Sequence, residues 1–409
     1  MLIGRSEMLN TATCESGKQP PNTMFWSAGA LAIIATAVSA ILPVLIGVWQ
    51  AQAGLRVDQA GFVAATELLG QVAGTGVFLW ASGKWPLRTI AAAGLCVLIV
   101  GNVATAASVD FSSLMLARAI GGTGGGLIRA LSMMCLAKAM SPGRAFAVYA
   151  GAQVTLAAAT TAVIPHFINA QEPRLPFLAL SLVSMIGFAL CPFLPRAPAP
   201  SAPGNSPGRT TTPLSALLAI AAVFVFFVGQ GALWTYLAPI GEHQSIPASG
   251  VSHALTLLNF AGLFGALGVG ALAHRVNPRL ALTALLAIEA LSIVSLFNTH
   301  SSFLFIASAG GFYFSWCASF PFQFTIIAHS DATGRASAVV PAADGLGLSG
   351  GAALAGAVLP IFGLVSAGWI CAVASVIGLA CFIVAATLSK QTASKKQLRV
   401  KVQAATLER

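Results

Sequence analysis

Twelve segments of this chain are predominantly apolar for 18 residues or more, and that pattern leaves few folds open. A helix rises 1.5 Å per residue, so a run of that length crosses the roughly 30 Å of hydrocarbon in a bilayer. The runs are drawn at Met24–Trp49, Gly61–Trp80, Thr89–Ala107, Ser113–Ala137, Ala145–Ile168, Leu175–Leu194, Leu214–Ile240, Val251–Ala273, Leu280–Phe297, Phe303–Ile327, Ala336–Phe362 and Ala367–Leu388. They are numbered here as spans one to twelve. Only 8% of residues are charged, against roughly 25% in soluble domains. The expectation is an all-α integral membrane protein.

The net charge of +10 invites a nucleic-acid reading, but the positions of the basic residues argue otherwise. With both termini cytoplasmic, 17 of the 21 Lys and Arg fall in segments on the inner side, the last six of them after Leu388. Only Arg56 and Arg174 fall outside, while Arg118 and Arg129 lie within spans. Such an excess of basic residues in inner loops sets orientation. The basic tail then faces the anionic leaflet of the cell membrane. Trp26, Trp49, Trp80 and Trp85 flank the first two spans, as interfacial aromatics do. The first 23 residues are polar and lack the apolar core of a cleaved signal, so span one is expected to be retained. The seven cysteines are scattered and form neither a metal-ligand spacing nor a disulfide framework.

The chain also repeats itself. Lys84 to Arg88, between spans two and three, returns 191 residues later as Arg275 to Arg279. Gly143-Arg144-Ala145 returns at the same offset as Gly334-Arg335-Ala336. Ser112-Ser113 with Gly121-Gly122 returns as Ser301-Ser302 with Gly310-Gly311 at offset 189, and Pro43 late in span one matches Pro239 late in span seven. Between the halves, 195–213 reads PRAPAPSAPGNSPGRTTTP, a composition for an extended linker rather than a packed element. The expected organisation is a tail (1–23), a six-helix bundle (24–194), the linker, a second bundle (214–388) and a basic tail (389–409). Six spans per half make the repeats parallel about an axis along the membrane normal.

On these residues the chain resembles the major facilitator superfamily over all twelve spans. The family's loop signature after span two is similar to Gly270-Ala-Leu-Ala-His274-Arg275-Val-Asn-Pro-Arg279, and more weakly to the stretch from Gly83 and Lys84 to Arg88. Its span-four signature resembles Leu116-Ala117-Arg118 with the glycines that follow. The Gly-Pro signature of drug/proton antiporters is missing from Gly151–Pro165. The resemblance implies a carrier that alternates between inward- and outward-facing states, with gating loops at Lys84, Arg88, Gly270, His274, Arg275 and Arg279. Gly83 and His274 stand where the family keeps an acid, which predicts a gate closed by other contacts.

An ionisable group inside a span is costly and therefore a functional candidate. Arg118 and Arg129 are eleven residues apart in span four, which leaves them within ~20° on one helix face. Above a glycine floor, two guanidinium groups suit an anion or carboxylate; the alternative pairs Arg118 with a neighbouring helix. Glu67 and Gln71 lie one turn apart in span two, and Asp344 takes the place of Gln153 across the repeat. Glu67 and Asp344 are proton-coupling candidates, with a neutral or paired carboxyl as the structural alternative. Glu289 is expected to be structural, since the resemblance makes span nine peripheral. Gln230, Trp234, Tyr236, Asn259, Trp316 and Gln323 are candidates to line a solute cavity beside Arg118, Arg129, Gln71 and Gln153.

The sequence shows no phosphate loop, metal cluster or nucleophile elbow. Gly121–Gly126 lies within an apolar helix and lacks the Lys-Ser/Thr of a nucleotide loop. The reading is therefore a non-enzymatic, cofactor-free monomer that moves a small organic solute, an organic anion by preference, with protons. A drug or metabolite exporter is the nearer alternative, and a non-transporting receptor or assembly factor the more remote one.

Overall fold

The computed structural model describes residues 22–137, 157, 160, 172–195, 214–269, 276–330 and 335–407. Among them are 11 helices long and apolar enough to cross a membrane. These are the expected spans other than span five, which lies outside the described residues except for Ala157 and Thr160. Residues 196–213 of the linker and the first 21 residues also lie outside.

Two spans break, at matching places in the two halves. Span one runs as Asn22–Ala40 and resumes as Leu42–Ala53. Span seven runs as Leu214–Thr235 and resumes as Leu237–His243. Pro43 and Pro239 account for the position: each lacks an N–H and crowds the carbonyl four residues earlier, at Ser39 and Thr235. The two resumed pieces pack against each other at the end expected to face outward.

Within each half, backbones meet where side chains are smallest. In span four (Phe111–Ala137), a Cβ on Gly122 or Gly126 would strike the carbonyls of Glu67 and Gln71 in span two (Val57–Ala81). A Cβ on Gly124 would strike Leu98 in span three (Leu87–Ala107). Small residues permit such contact where lipid gives helices no hydrophobic reason to associate. The second half repeats the device, with Gly351 of span eleven (Arg335–Phe362) against the Val228 carbonyl and Gly231 against that of Leu348.

The halves meet chiefly along spans two and eleven. The Tyr236 side chain lies where a Cβ on Gly61 would be, and its hydroxyl would be 2.9 Å from a Cβ on Gly356. Further along, the Ser349 hydroxyl donates to the Ala65 carbonyl at 2.8 Å, and Gly345 faces Val72. Trp26, Trp80 and Trp85 are exposed, as interfacial rings should be. Trp49 is not: it is fully buried, because the resumed half of span one turns it into the core.

Candidate functional site

The charged residues of the first half close on one another. Arg118 in span four donates from Nε to Glu67 Oε2 at 3.0 Å and from Nη1 to Asn102 Oδ1 at 3.0 Å. Its Nη2 lies 2.8 Å from the same Glu67 oxygen, an ion-pair contact outside hydrogen-bond geometry. Gln71 Nε2 donates to Glu67 Oε1 at 3.1 Å, and the Phe177 ring centre lies 5.7 Å from the guanidinium. Arg118 and Glu67 are 0% and 1% exposed at the side chain, so this network faces the bundle interior. It brings three of the expected residues together and adds Asn102, whose signal was an amide in mid-span.

Arg129, one eleven-residue step along the same helix, is half-buried. It makes no ion-pair contact with Asp344 of span eleven. Asp344 Oδ1 is buried without a hydrogen-bond partner among the described residues. Gln153, the counterpart of Asp344, lies outside the described residues.

Trp234 and Trp316 belong to an aromatic cluster of spans seven and ten (Ser302–Ser330). Trp234 stacks on Tyr313 with centroids 5.1 Å apart, and Trp316 stands edge-on to both at 6.0 and 5.2 Å. Phe227 joins at 6.0 Å from Trp316, and a Cβ on Gly347 in span eleven would lie 2.7 Å from the Phe227 Cβ. Trp316 Nε1 is buried without a partner among the described residues.

The other polar candidates of the second half point elsewhere. Gln230 Nε2 donates to Glu289 Oε1 at 2.7 Å. Gln323 donates to the Ser319 hydroxyl at 2.8 Å and, with Ser315 and Glu289, lines a small cavity inside the bundle. Glu289 also accepts from Ser375 at 2.8 Å and Cys371 at 3.3 Å, both in span twelve (Val365–Leu407). Those two were missed in the sequence, where they show as small polar residues one turn apart in an apolar run. Asn259 of span eight (Ala248–Phe264) donates at 2.7 Å to the Leu255 carbonyl of its own helix.

Of the gating-loop residues, Lys84 caps the Trp80 ring at 4.0 Å, and Arg88 donates to the Leu194 carbonyl, tying the start of span three to the end of span six. The Arg279 backbone N–H is capped by the Asn277 side chain at 3.1 Å, opening span nine (Pro278–Asn298). Gly270, His274 and Arg275 lie outside the described residues.

A family model described as Major Facilitator Superfamily matches residues 27–330. Among solved structures, the fold is similar to the xylose transporter XylE from E. coli in an inward-open conformation. That match has a TM-score of 0.68 at 14% identity, covering 86% of this chain and 94% of that one. No curated protein sequence matches.

Proposed function

Because the chain belongs to the major facilitator superfamily and is therefore a multi-pass secondary transporter rather than an enzyme, we propose that it moves a small organic anion together with protons across the cell membrane, both termini facing the cytoplasm. The observation that carries the reading is Asp344, whose Oδ1 is buried without a hydrogen-bond partner among the described residues, beside Gly345 where span eleven meets span two of the other bundle. In this mechanism Asp344 takes up a proton, and Arg129 meets a carboxylate of the solute. Bidentate pairing suits a guanidinium to that task. The Trp234–Tyr313–Trp316 cluster supplies apolar area beside span eleven.

Arg118 and Glu67 act differently in this reading. Each satisfies the other, so together they hold spans two, three and four as one rigid unit that rocks against the second bundle. Gln71 and Asn102 belong to that unit. The 17-to-2 inner bias of basic residues supports the orientation.

Reconstitution in proteoliposomes tests the mechanism. Imposing an inwardly directed proton gradient, acid outside, should accelerate uptake of the responsive organic acid at least tenfold, and Asp344→Asn should abolish that acceleration. Arg129→Ala should weaken binding by roughly 1.5–3 kcal/mol, the worth of a charged hydrogen bond. Gradient-independent uptake that survives Asp344→Asn would sink proton coupling. The aromatic cluster also suits a flat apolar compound, so an exporter of drugs or metabolites is the second reading. Net efflux of such compounds, unaffected by Arg129→Ala, would favour it.

A further inference from the structure

Glu289 stands among donors that are all uncharged. Its Oε1 accepts from Gln230 Nε2, Ser375 Oγ and Cys371 Sγ at 2.7, 2.8 and 3.3 Å, and the residue is 2% exposed. Three donors thus converge on one oxygen. The Gln230 carbonyl oxygen, on the same amide that donates to Glu289, is buried with no donor among the described residues. A carboxylate cannot fill that vacancy, because it only accepts. A carboxylic acid can: O–H at Oε2 would donate to Gln230 Oε1 while Gln230 N–H donates back to Oε1. That closes a two-bond acid–amide ring and satisfies both residues.

We infer that Glu289 is a proton-binding site, held as the neutral acid in a ring with Gln230 at the junction of spans seven, nine and twelve. An ionised carboxylate there would set acceptor against acceptor and bury a charge with no cation to meet it among the described residues, which is costly. Among the described residues packed around it, Cys371 is the other titratable group. Span seven presents Gln230, span ten Ser315, Ser319 and Gln323, and span twelve Ser375. The short helix 237–243, with Glu242 and His243, lies by the far end of span nine, where neighbouring Gln244 bonds Phe297, about 12 Å along the helix.

Two openings reach the site. The inner cavity beside Ser315, Ser319 and Gln323 has a volume of about 20 Å³, room for a water molecule that could relay a proton. On the other side a groove of about 290 Å³ between spans nine and twelve, walled by exposed Thr283, Ala287 and Ala290, reaches Glu289 from the lipid face. The site is separate from Asp344 and Arg129 and does not depend on which solute is carried.

Infrared difference spectroscopy of the purified full chain in Asp344→Asn form tests the inference. A protonated-carboxyl C=O band should be present at neutral pH, shift on deuterium exchange and vanish on adding Glu289→Gln. A missing band, or one that survives Glu289→Gln, would overturn it. If the double variant does not fold, a lipid-soluble carbodiimide applied to the wild-type protein decides. The carboxyl proton passes to a carbodiimide nitrogen, the carboxyl oxygen bonds the central carbon, and acyl shift leaves a stable N-acylurea. Mass spectrometry should then place the adduct on Glu289 and show it fading at alkaline pH. Labelling at Asp344 with Glu289 untouched would refute the site. Transport that proves independent of protons would remove the proposed mechanism yet leave these readouts unchanged.

Discussion

Each half of the molecule buries a carboxylate among its helices, and the two halves neutralise it by different means. Glu67 in the first half faces the Arg118 guanidinium, with Asn102 and Gln71 completing the set. Glu289 in the second half faces an amide, a hydroxyl and a thiol. The difference teaches that duplication has kept the scaffold and not the chemistry within it. The first site is closed by a countercharge, whereas a proton leaves the second open to change.

The largest expected effect comes from breaking the countercharge. Arg118→Met should strand Glu67 and cost about 3–5 kcal/mol, whereas Glu67→Leu with Arg118→Met should recover most of it, as buried pairs replaced by apolar residues do. Thermal unfolding in detergent would measure both. Equal damage in single and double variants would show that the pair is more than self-compensating.

Next in size are the glycine contacts, where the halves should not differ. Gly126→Val and Gly351→Val each press a side chain on a neighbouring carbonyl, of Gln71 and Val228. Each should cost about 1–3 kcal/mol by overpacking. A large inequality in their melting temperatures would show that one bundle yields where the other does not.

Smaller still is Glu289→Gln, expected to shift stability by under about 1 kcal/mol because the amide keeps a neutral hydrogen-bonding end. Its signature is the pH profile. A site protonated in the fold binds more protons than the unfolded chain, so wild-type stability should fall as pH rises. The variant should lose that part of the slope in a series of melts across pH, keeping whatever other groups contribute.

The smallest effect concerns the entries to spans four and ten. Asp110 accepts from the Ser113 backbone N–H at 2.9 Å, while the corresponding Thr299 accepts from Ser301 at 3.1 Å. That backbone N–H holds the Asp110 carboxyl below its ordinary range. A lowered folded value means stabilisation present at neutral pH and lost as pH falls. Asp110→Ala should therefore matter slightly at neutral pH and not in acid, while Thr299→Ala should be pH-independent.

Eleven of the spans, and the matching prolines late in spans one and seven, were legible in the sequence because length and offset are local properties; the breaks at Pro43 and Pro239 were not drawn there, since both spans read as continuous apolar runs. That Glu67, Gln71 and Arg118 carry weight was legible too, since charge in hydrocarbon needs a reason. What each faces was not. The Glu67–Arg118 contact spans 51 residues, and in helices so rich in Ala, Gly and Leu no polar stripe marks which side meets a neighbour. Gln230 shows the same limit: it reads as a cavity residue, yet its partner is Glu289. Trp49 reads as interfacial from its position, and only the break before it turns the ring inward.

The Ser349–Ala65 bond lies on a face where glycines of spans two and eleven meet Tyr236, Phe62 and Val72. A hydroxyl-to-carbonyl bond is worth about 1 kcal/mol, under twice the thermal energy. Such a face behaves as a bearing rather than a latch: it fixes the line along which the halves slide and offers little resistance to the sliding. The time the protein spends in either orientation is then governed by what occupies the space between the halves, not by the surfaces that touch.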